Sequence, residues 1–383
     1  MTEIKNLKKA AQRILKAIKN KEKIILYGDA DMDGVTAVII LEETIKNLDG
    51  DIAAVYFPDR ETEGYGMTEK GLDYLKNFSP ALLVVLDCGI GNFKEAKMAK
   101  KLGFELIIVD HHETLDKLPE ASIIVAPKQK GDKYLFKELA TAGIAFKLSE
   151  ALLKNQMRDN LRKNLLELAA LATLADMMPQ ENENRTMTEE GLASLRNSWR
   201  PGIRAFLESD LFSDYSDFRQ KLSRIISLLN VRDVQERLPA SFRLLTTSSL
   251  KEAEKIIEDL SEKAILRKQK IKEITDQAEL KISLGKETPI IFAGDALWEL
   301  TLLGPVASTI LQRYKKPTFL FKKMEKESQG TIRSPDGINS VTLLKKCKKH
   351  LISYGGHPRA AGFRIKNENL ENFKDCLICH FEQ

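Results

Sequence analysis

Ile24-Ile25-Leu26-Tyr27-Gly28-Asp29-Ala30-Asp31-Met32-Asp33-Gly34 is the stretch on which the fold turns. A short apolar run without polar alternation reads as a strand buried on both faces. Three aspartates at alternate positions follow directly. Two later segments repeat the pattern: Ala81–Leu86 runs into Asp87-Cys88-Gly89, and Leu106–Val109 runs into Asp110-His111-His112. Helical patterns lie between them, at about 34–47 and 92–102. Strands alternating with helices argue for an α/β fold with a parallel sheet covered on both faces.

Upstream, Ile4, Leu7, Ala11, Ile14, Leu15 and Ile18 recur at helical spacing, and Lys5, Lys8, Lys9, Arg13, Lys16, Lys19, Lys21 and Lys23 make that segment basic, a solvated face. Downstream, about 139–230 is mostly helical. A charged segment from about 249 to 284 reads as one helix with a narrow stripe of Ile256, Leu260, Ala264, Ile271 and Ile274, ended by Gly285. At about 1.5 Å per residue it would span on the order of 50 Å, the length of a helix that bridges domains. Strand-like runs return at Pro289–Phe292 and Thr318–Phe321 and open a smaller α/β unit. The expected division is residues 1–245, a linking helix over 246–287, and 288–383.

The 383 residues, 43% hydrophobic and 30% charged, suit a globular protein of two or three domains rather than a disordered chain. A net charge of +5 permits an anionic partner without requiring one. No apolar run is long enough for a membrane helix, and the first residues lack a secretory core. Cys88, Cys347, Cys376 and Cys379 fit a reducing compartment, so a cytoplasmic protein with no membrane partner is expected. Cys347-x-x-His350 and Cys376-x-x-Cys379 have the residue types of a zinc site, but both lie in helical patterns and read as core cysteines.

Ligands of open parallel sheets bind beyond the carboxyl ends of the strands. There, five aspartates and two of the five histidines of the chain could converge. Carboxylates so crowded need a cation. Oxygen ligands with one or two imidazoles suit Mn²⁺ or Mg²⁺ better than Zn²⁺, and the imidazole favours Mn²⁺. The number of carboxylates matches two ions about 3.5–4 Å apart, the arrangement that activates water and clamps a phosphoryl group. A calcium loop of the EF-hand type would need Glu at its twelfth position, where Ile40 stands. Solvated turns would account for one such motif, less readily for three at successive strand ends.

Gly28–Gly34, Leu86–Gly89 and Val109–His112 resemble the first three motifs of the DHH phosphoesterase family. Ala172-Thr173-Leu174-Ala175-Asp176 resembles the fourth, a helical Asp. Ser353–Phe363 resembles the Gly-Gly-His signature of the associated C-terminal DHHA1 domain. Glu189–Ser209, the long helix and Leu302–Pro317 are similar to the RecJ-like single-strand exonuclease branch. The resemblance covers nearly the whole chain. It implies that Asp29, Asp31, Asp33, Asp87, His111 and Asp176 hold two Mn²⁺ or Mg²⁺ ions. Asp110 would orient His111, and His112 would face the scissile phosphate as an electrophilic or acid group. Water activated by the metals would be the nucleophile. The implied activity is 5′→3′ digestion of single-stranded DNA, rather than RNA, to 5′-mononucleotides in recombination and repair. Short oligoribonucleotides, 3′-phosphoadenosine 5′-phosphate or cyclic dinucleotides are the substrates of shorter relatives, and a replication scaffold without catalysis is the third alternative.

Gly355 and Gly356 would let backbone N–H groups approach a phosphate, with His357 and Arg359 beside them. Gly330–Ser334 resembles a second backbone-contacting element, in which Arg333 and Ser334 bind the strand. Residues 312–350 carry eleven basic side chains against three acidic ones, an excess of +8 that places a single strand beside the smaller domain, in a groove between the domains. Two departures from the family stand out. Asn230-Val231-Arg232-Asp233-Val234 lacks the usual Gly-Arg pair, for which Arg232 or Arg237 would have to substitute. No room is found for the OB-fold domain common in bacterial relatives, so strand affinity would be lower or a single-strand-binding or replication and repair partner would supply the grip.

Overall fold

The first helix, α1 (Leu7–Lys19), buries Leu7, Ala10, Ala11, Ile14 and Ala17, while Arg13 on its other side pairs with Glu22 and with Glu105 at 2.7 Å. Arg13 is half-buried in these pairs, whereas Lys5, Lys8, Lys9, Lys16, Lys19, Lys21 and Lys23 are exposed, as a solvated face requires. In the computed structural model, which describes residues 3–115, 117–209, 217–231, 233–284 and 288–381, the chain forms two compact units. They are Met1–Lys263 and Ala264–Gln383.

The first unit continues with β1 (Ile24–Gly28), α2 (Met32–Lys46), β2 (Ala54–Tyr56), α3 (Glu69–Leu75), β3 (Ala81–Leu86), α4 (Phe93–Lys101), β4 (Phe104–Val109) and β5 (Ile123–Val125). The five strands are parallel, in the order β2-β1-β3-β4-β5. Every residue of β1 and β3 is buried, as their unbroken apolar runs require. Ile25, Tyr27, Leu83, Val85, Leu106 and Ile108 enter the core under α3 and α4. The opposite face meets α2 and α5 (Thr141–Leu153). Behind these lie α6 (Asp159–Ala175), α7 (Asn182–Leu195), α8 (Pro201–Glu208) and α9 (Phe218–Leu229), so the helical stretch read from the sequence is present. A short hairpin of β6 (Val234–Gln235) and β7 (Leu238–Pro239) leads into α10 (Ala240–Thr246).

Arg200, which precedes α8, is buried and grips Glu43 of α2 with two bonds of 2.8 Å. A Cβ on Gly202 would lie 2.1 Å from the Leu244 carbonyl oxygen. The stretch that looked distinctive in the sequence is therefore an anchor between α2, α8 and α10. Arg232 and Gly285 lie outside the described residues. Arg237 stacks on Tyr74 at 4.0 Å, and Asp233 pairs with Arg243 and Lys263.

The long helix α11 (Leu250–Ser283) is continuous, as its sequence predicts, and the division between the units falls within it. Ala253, Ile256, Ile257 and Leu260 are buried near its start and Ile274 and Ala278 near its end, with Ile265 and Leu266 exposed between.

The second unit contains β8 (Ile291–Asp295), α12 (Leu303–Tyr314), β9 (Thr318–Lys323), β10 (Glu327–Arg333), α13 (Ser340–Lys346), β11 (Leu351–Gly356), β12 (Ala360–Lys366) and α14 (Leu370–Cys379). Its sheet runs β11-β12-β10-β9-β8, with β8 and β9 parallel and the other neighbours antiparallel. Phe319, Phe321, Phe363 and Phe373 fill the core shared with α13 and α14. The face toward α12 and the last turns of α11 holds Ile274, Ala278, Leu303, Val306 and Leu320.

Gly355 and Gly356 end β11 and pair with Gly362 and Ala361 of β12. Cys347 and Cys376 are not separate core thiols but form a disulfide, with Cα atoms 6.1 Å apart. Each lies in its own helical pattern, and only the packing of α13 and α14 on one core brings them together. β10 had left no strand signal because its buried face is Ser328, Gly330 and Ile332 rather than an apolar run. Among the described residues no helix is long and apolar enough to cross a membrane.

Candidate metal centre

The parallel ladder places the acidic groups. The N–H of Asp29 donates to Leu86 O at 3.2 Å, that of Asp87 to Val109 O at 3.0 Å, and that of Asp110 to Val125 O at 3.1 Å. Each acid is thus the first residue past its strand, tied to the last residue of the neighbouring strand. Asp31 caps α2, accepting from Gly34 N at 3.1 Å. Gly34 is required here, because a Cβ would lie 2.3 Å from Asp29 O. Asp87 adopts φ 62°, a left-handed conformation that costs a non-glycine residue on the order of 1 kcal/mol and is held where structure over-determines it.

Three groups of ligand atoms lie within 4.8 Å of one another around Asp87: Asp33, Asp87 and His111; Asp29, Asp31 and Asp87; and Asp87, Asp110 and His112. The first two consist of expected ligands, and Asp87 belongs to both. His111 Nδ1 is 3.0 Å from Leu139 O, so that nitrogen donates and Nε2 faces the acids. Nε2 lies 3.4 Å from Asp87 and 3.6 Å from both Asp33 and Asp176. Asp176 caps the C-terminus of α6, and its Oδ2 is buried with no hydrogen-bond partner among the described residues. The start of α5 grips Asp33 with the N–H groups of Thr141 and Ala142, both at 2.7 Å, while Thr141 Oγ1 donates to Asp87 at 2.9 Å.

Burial pushes the Asp33 carboxyl up to about 7, and burial with repulsion from Asp33 and Asp31 pushes Asp176 to about 8. Burial and the neighbouring aspartates raise Asp87 well above the ordinary range. Asp31 goes the other way, to about 2, because Arg60 outweighs its burial. A buried cluster of carboxylates, one imidazole nitrogen and one orphaned carboxylate oxygen fits hard divalent cations, Mn²⁺ or Mg²⁺. All six expected ligands therefore meet at one sheet edge.

The expected role of Asp110 is corrected. Its Oδ1 lies 2.7 Å from His112 Nδ1 and accepts from the His112 N–H, while Oδ2 accepts from Ile90 N at 3.1 Å. Asp110 orients His112, not His111, whose Nδ1 is already committed to Leu139. Despite burial, the Asp110 carboxylate raises His112 to about 9.

Sequence reasoning missed Arg60, Leu139 and Thr141. Arg60 Nε donates to Asp29 at 2.9 Å, and a second guanidinium nitrogen reaches Asp31 at 2.7 Å. It follows the three-residue strand β2, and no motif marks it. The signal was charge balance: crowded carboxylates need a neighbouring cation. Leu139 acts through its backbone, which a side-chain search does not see.

The expected strand-binding residues lie in the second unit. Arg333 donates to Thr331 Oγ1 at 2.7 Å and to Ile332 O at 3.0 Å. Ser334 is buried against Ser340, their hydroxyls 2.8 Å apart, and its N–H donates to Arg359 O. Arg359 is exposed and pairs with Asp336. His357 closes the β11–β12 turn through its N–H to Ala360 O at 2.7 Å. Gly356 has φ 135°, and a Cβ there would sit 2.5 Å from Ala360 O, whereas Gly355 faces open space.

Residues 23–173 match the N-terminal domain of the DHH family, and residues 287–380 match the DHHA1 domain. The single-stranded-DNA-specific exonuclease RecJ of Bacillus subtilis is 35% identical over 98% of this chain, which spans 48% of that protein. A structure of exonuclease RecJ bound to manganese superposes with a TM-score of 0.78 at 28% identity, covering 99% of this chain and 94% of that one. A second, RecJ of Thermus thermophilus in complex with Mn²⁺, gives 0.80 at 26% identity over 98% of this chain and 55% of that one. The chain spans about half the length of the curated relative it matches at 35% identity. With both domains present in order, the chain belongs to the DHH family and is RecJ-like in sequence and fold.

Proposed function

We propose that this chain is a two-metal-dependent exonuclease on single-stranded DNA, working 5′→3′ and releasing 5′-mononucleotides in recombination and repair. The observation that carries the reading is Asp87, shared by two ligand groups at one sheet edge. Two ions, Mn²⁺ or Mg²⁺, held by Asp29, Asp31, Asp33, Asp87, His111 and Asp176, would supply polarisation of a water and of the scissile phosphoryl group. The protein contributes the rest. Leu139 fixes His111 so that Nε2 ligates. Asp110 takes His112 Nδ1, keeps the ring cationic at neutral pH, and leaves the proton on Nε2 to meet negative charge on the phosphate. Arg60 holds Asp29 and Asp31 in place.

Strand binding by Arg333, Ser334, Gly355, Gly356, His357 and Arg359 belongs to the same proposal, supported by the +8 excess over residues 312–350. DNA is favoured over RNA because the relatives are named for it. A single-strand-binding or repair protein is the partner class.

The test is a time course on DNA and RNA strands labelled at either end, with Mn²⁺ or Mg²⁺ and with duplex and dinucleotide controls. Early mononucleotide from the 5′ label on long DNA is expected. Cleavage of the dinucleotide alone would replace the reading with a small-substrate phosphodiesterase. Strand binding without turnover under either metal would replace it with a scaffold.

A further inference from the structure

The second unit carries a cluster that the proposed chemistry does not use. Cys347 ends α13 and is fully buried; Cys376 lies on α14 and is half-buried; His380 follows α14 by one residue. Their two sulfurs and one imidazole nitrogen all lie within 4.8 Å of one another. A further thiol, that of exposed Cys379, stands beside His380 in the chain and one turn after Cys376.

We propose that, when the Cys347–Cys376 disulfide is reduced, these two thiolates and His380 form a Zn²⁺ site, separate from the carboxylate centre. The donor chemistry separates the two: two sulfurs and an imidazole select a thiophilic cation, whereas the aspartates of the first unit select a hard one. α13 and α14 already hold the donors close, with Cα atoms of the cysteines 6.1 Å apart, so little reordering is needed to close a metal between them. The site and the disulfide exclude each other. A peroxide takes two electrons from the thiolate pair, the sulfurs join, two protons complete the two waters formed, and Zn²⁺ leaves. The ligands tie α13 to α14, so either bond pins the same pair of helices.

The probe is Co²⁺, because thiolate ligands give it a charge-transfer absorption in the near ultraviolet that a carboxylate and imidazole site cannot give. The full chain is reduced, stripped with a chelator and titrated with Co²⁺. The expected result is a thiolate band saturating at one ion per chain and displaced by Zn²⁺. Cys376→Ser should abolish it, His380→Gln should weaken Co²⁺ binding at least tenfold, and Cys88→Ser, a buried thiol of the first unit, should leave it unchanged. Peroxide before titration should prevent the band. Thermal unfolding of each variant identifies a lost fold; should Cys376→Ser fail to fold, His380→Gln at the half-exposed end of α14 decides. No band in the reduced wild-type chain, or a band indifferent to both substitutions, overturns the proposal.

Discussion

The two glycine- and charge-rich elements of this molecule are built on opposite principles. At the edge of the parallel sheet, Asp29, Asp87 and Asp110 are each bonded to the adjacent strand, and Asp33, Asp110 and His111 are held again by backbone or side-chain partners. Nearly all of these groups are buried. At the β11–β12 hairpin of the second unit, Gly355 faces open space and Arg359 is exposed with one ion-pair partner. The first region stores electrostatic cost that a cation or bound protons relieve; the second has almost none to release. Changes in the first should therefore act on turnover and metal binding, and changes in the second on strand affinity.

The sharpest way to break this contrast is Asp87→Asn. Asp87 serves both ligand groups and receives the Thr141 hydroxyl, so its loss should lower kcat by about 10³-fold, several kcal/mol in the barrier. Mn²⁺ binding measured by calorimetry should weaken in parallel. A variant that kept wild-type kcat with Mn²⁺ would remove Asp87 from the centre.

Asp110→Asn should cost less, about 10²-fold in kcat at pH 8. With the carboxylate, His112 holds its proton to about 9; without it, the ring returns toward the ordinary value near 6.5. The defect should thus shrink as the pH falls toward 6, where more of the variant's rings carry the proton. A pH profile with a constant ratio between variant and wild type would mean that Asp110 does not act through the charge on His112.

The pH dependence of metal stabilisation sharpens the contrast further. An aspartate in the unfolded chain loses its proton near pH 3.9. In the fold, burial first and then neighbouring carboxylates keep Asp33 protonated to about 7 and Asp176 to about 8. Between these limits the unfolded chain binds fewer protons than the chelator-treated fold, so that fold loses stability as pH rises. Mn²⁺ requires the deprotonated forms and its binding releases those protons. The rise in Tm on adding Mn²⁺ should therefore be greater at pH 8 than at pH 6. An equal rise at both would show that these carboxylates titrate normally.

Legibility in the sequence follows the same division. β1, β3 and the last four residues of β4 could be read because strand segments buried on both faces are apolar throughout, and the acids after them stood out because they recur at three strand ends. The ligand set was legible for that reason, and α11 because its charged helical period is long. β10 was not, since Ser328 and Gly330 occupy its buried face, and β2 and β5 are only three residues each. Arg60 and Leu139 were hidden because their roles arise from where loops return, not from residue spacing. The Cys347–Cys376 bond was hidden because the partners are 29 positions apart, with β11 and β12 between them, and only shared packing joins them.

The smallest expected effect tests the exposed region. Arg359→Ala removes one cation from the hairpin without opening a cavity, since the side chain is exposed and its ion pair with Asp336 is solvated. If Arg359 contacts a strand phosphate, KM on single-stranded DNA should rise a few-fold with kcat unchanged, and the slope of log affinity against log salt should fall by about 1. The release of Asp336 works in the opposite direction, because the acid left behind repels the strand, so Arg359→Ala, Asp336→Asn should recover part of the loss. A fall in kcat at unchanged KM would instead place Arg359 with the turnover machinery and erase the division between a held, buried centre and an adaptable, solvated grip.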